Sequence, residues 1–288
     1  MAIGAYLIWG LMPLYLLTVR SVPPFEFVGW RIVFTLPLCL VFIAFRRQFA
    51  DLLAALRNGR TMALLLLSAL LVGANWLVYI AAIQEGHVLA TSLGYYINPL
   101  VNVLLGTVFL RERLSRLQWG AVALAGLAVS LLAWNARDML WISLTLAGTF
   151  SAYGLVRKLV PVGSLPGLTV EAALLFLPAA GLIVWQTAGG VPAAVGHDLT
   201  QSLLVAFSGV VTAVPLLMFA IAARRMDYST LGFVQYLAPT LVFLIGVFVF
   251  KEPLRPVQLA SFVLIWAAVA LFVWDLLARR RASRPIAS

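Results

Sequence analysis

Apolar residues in this chain come in long blocks separated by short polar stretches. They show neither the strict alternation of a half-buried strand nor the one-sided stripe of a surface helix. Ten blocks stand out, near 2–19, 25–45, 61–84, 88–110, 117–135, 139–156, 166–187, 200–223, 229–250 and 256–277. A helix rises about 1.5 Å per residue and needs roughly 20 residues to cross a hydrocarbon core about 30 Å thick. Each block therefore reads as one crossing, the sixth being the shortest. Between the second and third, residues 49–56 alternate apolar and polar positions at helical spacing and predict a short amphipathic helix on the cytoplasmic surface.

Composition sharpens this into a fold class. Of 288 residues, 63% are hydrophobic and 10% charged, against roughly a quarter charged in a soluble domain. The solvent for such a surface is lipid, where helices satisfy every backbone hydrogen bond internally. The expectation is an all-α integral membrane protein with ten transmembrane helices in two inverted five-helix repeats.

Charge then sets orientation. A net charge of +10 would point to nucleic acid in a soluble protein, but here the cations fall between apolar blocks, so the partner is the lipid bilayer and nucleic acid is not expected. With ten crossings, fifteen cations fall on one side: Arg46, Arg47, Arg57, Arg60, Arg111, Arg113, Arg116, Arg157, Lys158, Arg224, Arg225, Arg279, Arg280, Arg281 and Arg284. Four fall on the other: Arg20, Arg137, Lys251 and Arg255. This bias predicts a multi-pass protein of the bacterial inner membrane with both termini cytoplasmic. The first block lacks a basic leader and a small-residue cleavage site, and reads as a retained span.

Several chemistries are disfavoured. The single cysteine, Cys39, permits no internal disulfide or thiolate cluster. His87 and His197 are too far apart to suggest a ligand pair, so neither a metal nor a cofactor is expected. There is no GxxxxGK phosphate loop, which argues against ATP as a direct energy source.

The chain also repeats itself. A shift of 140 residues lays Tyr96, Pro99, Gly106, Glu112, Leu114 and Gln118 over Tyr236, Pro239, Gly246, Glu252, Leu254 and Gln258. Residues 1–136 form one predicted unit, 137–278 a second, and 279–288 a basic cytoplasmic tail. Five crossings per unit is an odd number, so the copies enter the membrane in opposite directions, the architecture on which secondary transporters place a site between halves.

Polar groups within the blocks each need a reason, because burying them in lipid costs energy unless they are partnered. Arg31 lies about 7 Å deeper along its helix than Glu26 and reads either as a fixed cation for an anionic substrate or salt-bridge gate, or as half of a structural pair. Glu171, the carboxylate well inside the second half's blocks, is its natural partner and a candidate proton-coupling site; aligning Pro37 with Pro178 lays it over Trp30, next to Arg31. Thr91, Tyr95, Asn98 and Asn102 fall on one helical stripe. Pro99 frees a carbonyl at the same depth, and Gln235, Tyr236 and Pro239 repeat the device. Asn75, Trp76 and Tyr79 add a further polar and aromatic face. These side chains predict a substrate pathway with aromatic walls and few charges. Glu112 and Glu252 read as structural, pairing with a nearby Arg or capping a helix.

The runs Gly73-Ala74-Asn75-Trp76 and Ser92 through Asn102, the exit Phe109-Leu110-Arg111-Glu112-Arg113, Gln118-Trp119, Tyr153 through Lys158, Pro215-Leu216-Leu217, Ser229 through Phe233 with Gln235-Tyr236, and Phe262 through Trp266 resemble the RarD branch of the EamA-type permeases. The likeness runs nearly the whole length. It implies the drug/metabolite transporter superfamily, with a pathway between two inverted halves and a small organic molecule as cargo. The leading expectation is a secondary permease, an exporter, driven by protons; a homodimer is a further expectation. The alternatives are a sensor or assembly partner without flux, and a membrane-embedded lipid-modifying enzyme.

Overall fold

The computed structural model describes residues 1–134, 139–190, 193–251 and 256–282. Helices and their connections make up all of these, with no strand among the described residues. In chain order they are α1 (Ala2–Thr18), α2 (Pro24–Phe45), α3 (Phe49–Arg57), α4 (Gly59–Gln84), α5 (Val88–Val108), α6 (Arg116–Trp134), α7 (Leu140–Leu159), α8 (Ser164–Ala188), α9 (Leu199–Arg225), α10 (Tyr228–Gln235), α11 (Leu237–Phe248) and α12 (Pro256–Ala282). Among the described residues seven segments are long and apolar enough to cross a membrane: α2, residues 59–83 of α4, α6, α8, α9, the combined stretch 228–248, and residues 256–279 of α12. The protein is therefore an all-α, multi-pass membrane protein. Its exposed surface carries Leu104, Leu177, Val184, Trp185, Leu203 and Trp274, side chains that only lipid accommodates in such number.

Three details depart from the sequence expectation. The block 229–250 is interrupted at Tyr236, between α10 and α11. Pro239 has no N–H to offer the carbonyl four residues back, at Gln235, where α10 ends. Arg157, expected in a cytoplasmic connection, lies within α7 and is completely buried. The predicted tail begins as helix, since α12 continues to Ala282, and Arg279 Nε lies 3.0 Å from Asp275 Oδ2. Arg137, Glu252, Leu254, Arg255 and Arg284 lie outside the described residues.

Small residues bring the central helices together. In lipid there is little hydrophobic drive between helices, so close packing at Gly and Ala replaces it. Gly29 of α2 meets Ala179 and Ile183 of α8, and Gly209 of α9 lies against the backbone of Phe34. An added Cβ at Gly209 would sit 2.7 Å from the Phe34 carbonyl carbon and oxygen, atoms that move only if α2 moves. Alanine there would gain about 1 kcal/mol of helix propensity but lose about 1–3 kcal/mol to overpacking. Gly209→Ala is accordingly expected to lower the Tm in detergent; an unchanged or raised Tm would show that α2 can shift freely.

The largest core cluster is aromatic, with Tyr6 and Trp9 of α1, Phe150 and Tyr153 of α7, Phe219 of α9 and Tyr228 of α10. The rings of Tyr153 and Phe219 stack at 6.1 Å. Away from it, α6 and α12 pair through Ala121, Ala125, Ala128, Ile265, Ala268 and Phe272. This pair joins the remaining helices chiefly at α5 and α10, where Phe233 stacks on Phe272 at 3.9 Å.

Candidate functional site

Two ionic centres lie inside the bundle. At the first, Arg157 Nη1 of α7 is 3.4 Å from Glu171 Oε1 of α8, and Arg157 Nη2 donates to the Ser164 carbonyl at 2.8 Å. Ser68 Oγ of α4 donates to Glu171 Oε1, and Tyr153 OH donates to Oε2 at 3.5 Å. One carboxylate thus gathers α4, α7 and α8. Gly167, one turn before Glu171, makes room for the guanidinium, because a Cβ there would collide with it. The pair is incompletely satisfied: Arg157 Nε and Nη1 are buried with no hydrogen-bond partner. An ion pair held by one long contact is easier to part than a bidentate one.

At the second centre, Arg31 Nε of α2 donates to Thr212 Oγ1 of α9 at 3.0 Å. The guanidinium lies over the Trp76 ring of α4, 4.9 Å from its centroid. The phenols of Tyr15, Tyr79 and Tyr95 are close enough to feel its charge. Tyr79 and Tyr95 meet edge to face at 6.1 Å, and Tyr95 is about half exposed.

The expected Arg31–Glu171 pair is not formed. Helices α2 and α8 run antiparallel, with Gly29 near the start of one against Ala179 and Ile183 near the end of the other. That register puts Arg31 level with Ala179, and Glu171 level with Cys39, about 12 Å apart along the axis at 1.5 Å per residue. Cys39 does lie within electrostatic reach of Glu171. Glu26, named with them as an ionic candidate, is buried and holds Trp30 Nε1 at 2.9 Å and the Ala194 N–H at 2.6 Å. It fastens α2 to the segment after α8.

Between the centres is a narrow cavity of about 20 Å³, room for a water-sized group, lined by Ile32, Thr35, Trp76, Tyr153, Glu171 and Leu216 among others. Five helices border it: α2, α4, α7, α8 and α9.

The amides expected on the pathway are engaged with neighbouring helices. Asn75 Nδ2 donates to the Leu146 carbonyl at 2.8 Å and to Thr149 Oγ1 at 2.9 Å. Asn98 Oδ1 accepts from Ser151 Oγ at 2.9 Å, and Asn102 Nδ2 donates to Gln235 Oε1 at 2.8 Å. Tyr6 OH also donates to Gln235, at 3.5 Å. Tyr236 is buried in the cluster near α12 and donates to the Tyr96 carbonyl at 3.4 Å. Pro99 and Pro239 are buried; the Pro99 carbonyl lies where Gly232 of α10 approaches α5 closely. Trp76, Tyr79 and Tyr95 gather around Arg31, whereas the amides and Tyr236 form contacts between helices. Glu112 accepts from the N–H groups of Tyr228 and Ser229 at 2.6 and 2.9 Å, capping α10 from across the chain.

Sequence reasoning passed over Arg157, Ser68 and Tyr153. A signal was present: Tyr153 and Arg157 are four apart and share a helix face.

The chain is similar to known transporters. The profile of the EamA-like transporter family matches residues 1–134. Protein RarD of Streptomyces exfoliatus is 41% identical over 281 residues, covering 98% of this chain and 89% of its own length. An uncharacterized transporter of Pseudomonas aeruginosa is 42% identical over 275 residues, covering 96% and 92% respectively. One solved crystal structure superposes with a TM-score of 0.73 at 21% identity, over 96% of this chain and 97% of its own, a likeness of fold alone. Identity of 41–42% to these relatives over nearly the whole chain, with the family profile over residues 1–134, identifies the chain as a RarD-type member of the EamA-like transporters.

Proposed function

We propose that this chain is a proton-coupled secondary permease that exports small organic molecules from the cytoplasm across the bacterial inner membrane. Ten crossings arrange as two inverted halves, residues 1–136 and 137–278, with both termini cytoplasmic. The helix contacts favour this reading because most persist when the halves are exchanged. Helix α2 packs on α8, α5 on α10 and α6 on α12, each against its counterpart. The α5–α7 contact is mirrored by that of α1 with α10 and α11, and α4–α7 by α1–α9. With Arg157 counted inside α7, fourteen cytoplasmic cations still face four on the other side.

The observation that carries the proposal is the cavity at the seam of the halves, with Glu171 on its wall and the Arg31–Trp76 pair beside it. Substrate sites of inverted-repeat transporters lie at such seams. A carboxylate with an incompletely bonded cationic partner is a group that can take up a proton when the helices part. Purified protein in liposomes is expected to move organic solutes, with accumulation that follows an imposed pH gradient. Absence of flux across a panel of amino acids, aromatic acids, nucleosides and amphenicols would favour a sensor or assembly role instead.

A further inference from the structure

The guanidinium of Arg31 has more hydrogen-bonding capacity than the protein uses. Among the described residues its one hydrogen bond is from Nε to Thr212 Oγ1, and the Thr212 hydroxyl proton is already given to the Ser208 carbonyl at 2.7 Å. The threonine oxygen is thereby fixed as an acceptor and holds one edge of the guanidinium. The Trp76 face sets its plane. Among the described residues the two terminal amino groups have no hydrogen-bonding partner, and Arg31 belongs to none of the ion pairs.

Such a cation is costly inside a membrane unless something neutralises it. Its neighbours come from every side: Tyr15 on α1, Trp76 and Tyr79 on α4, Tyr95 on α5 and Thr212 on α9. The side chain therefore faces the bundle interior and not lipid. No carboxylate among the described residues lies within ion-pair distance of Arg31: Glu171 is held by Arg157, Ser68 and Tyr153, and Glu26 accepts through Oε1 from Trp30 and Ala194 while its Oε2 is buried without a partner. A planar cation with no carboxylate in ion-pair reach selects for an anion over an amine. A guanidinium fork matches a carboxylate in two-point geometry. The rings of Trp76, Tyr79 and the half-exposed Tyr95 supply aromatic surface beside it.

We propose that the substrate class is an aromatic carboxylate carried as its anion, its carboxylate held by the two free amino groups of Arg31 and its ring laid against Trp76, Tyr79 and Tyr95. This rests on the transport reading only for the purpose of the site; the binding chemistry stands apart from flux and is tested without it.

The test is equilibrium binding to the full chain in detergent, read by thermal shift and by quenching of tryptophan fluorescence. The probes are benzoate, 4-hydroxybenzoate, phenylpyruvate and indole-3-acetate, with benzamide and benzylamine as neutral and cationic counterparts of benzoate. At least one acid should bind and raise the Tm, while benzamide and benzylamine do not. Arg31→Gln should weaken the acid's binding about 100-fold, the consequence of removing one partner of a desolvated charge pair. Arg31→Lys keeps the charge and loses the fork, so it should weaken binding by about tenfold. Thr212→Val keeps Arg31 but frees its anchored edge, and should also weaken binding, which guards against misfolding of the Arg31 variants as an explanation. If no acid binds, if benzylamine binds as well as benzoate, or if Arg31→Gln binds like the parent, the assignment is overturned. Flux of other solutes in liposomes with Arg31-independent binding would leave the transport reading standing and this one fallen. Arg31-dependent acid binding without flux would do the reverse.

Discussion

Replacing Arg157 by methionine is expected to destabilise the folded protein by about 3–5 kcal/mol, the usual cost of leaving one member of a buried ion pair without its partner. Glu171 would keep Ser68 and Tyr153 as donors but lose the cation 3.4 Å away. The companion variant carrying both Arg157→Met and Glu171→Leu removes both charges. Such replacements of a whole pair are often neutral or stabilising, so its Tm should return to within a few degrees of the parent. Thermal unfolding in detergent measures both. A single variant as stable as the parent would mean that the pair contributes nothing to the association of α7 with α8.

Glu171→Gln is expected to uncouple transport from the proton gradient. Glutamine retains hydrogen-bonding groups for Ser68 and Tyr153 but takes up no proton. In liposomes the parent should accumulate substrate in response to a pH step, while the variant should only equilibrate it, whichever way the gradient points. Because the change also strands the Arg157 cation, the double variant Arg157→Met with Glu171→Gln provides a charge-free reference for the same measurement. Continued gradient-driven accumulation in either variant would remove Glu171 from the coupling mechanism.

Much of the fold was legible because membrane helices are written in composition. The blocks near 25–45 and 166–187 correspond to α2 and α8, and the break at Tyr236 is foreshadowed by Pro239 four residues after Gln235. The amphipathic segment at 49–56 is α3, with Phe49, Leu53 and Leu56 exposed along it. The exceptional residues could be read as well, since Arg31 and Glu171 are charges where lipid tolerates few.

What could not be read was who meets whom. The repeat alignment brought Glu171 next to Arg31 in register, but antiparallel helices carry equivalent positions to opposite depths. A residue near the start of α2 has its counterpart near the start of α8, at the opposite end of the packed pair, so likeness in sequence becomes separation in space. The asparagines posed a second difficulty. Asn75, Asn98 and Asn102 look alike as polar intrusions, and only the positions of Leu146, Ser151 and Gln235 decide that each is spent on a neighbouring helix. From sequence Arg157 reads as a loop cation, since it stands beside Lys158 at a block's end. Its burial follows from the space that Gly167 leaves on the partner helix α8.

The α6–α12 pair stands to one side, stitched by alanines and touching the rest chiefly through α5 and α10. Neither ionic centre draws on it. A fluorophore or fusion partner placed on its outward face would therefore stand clear of both charged centres.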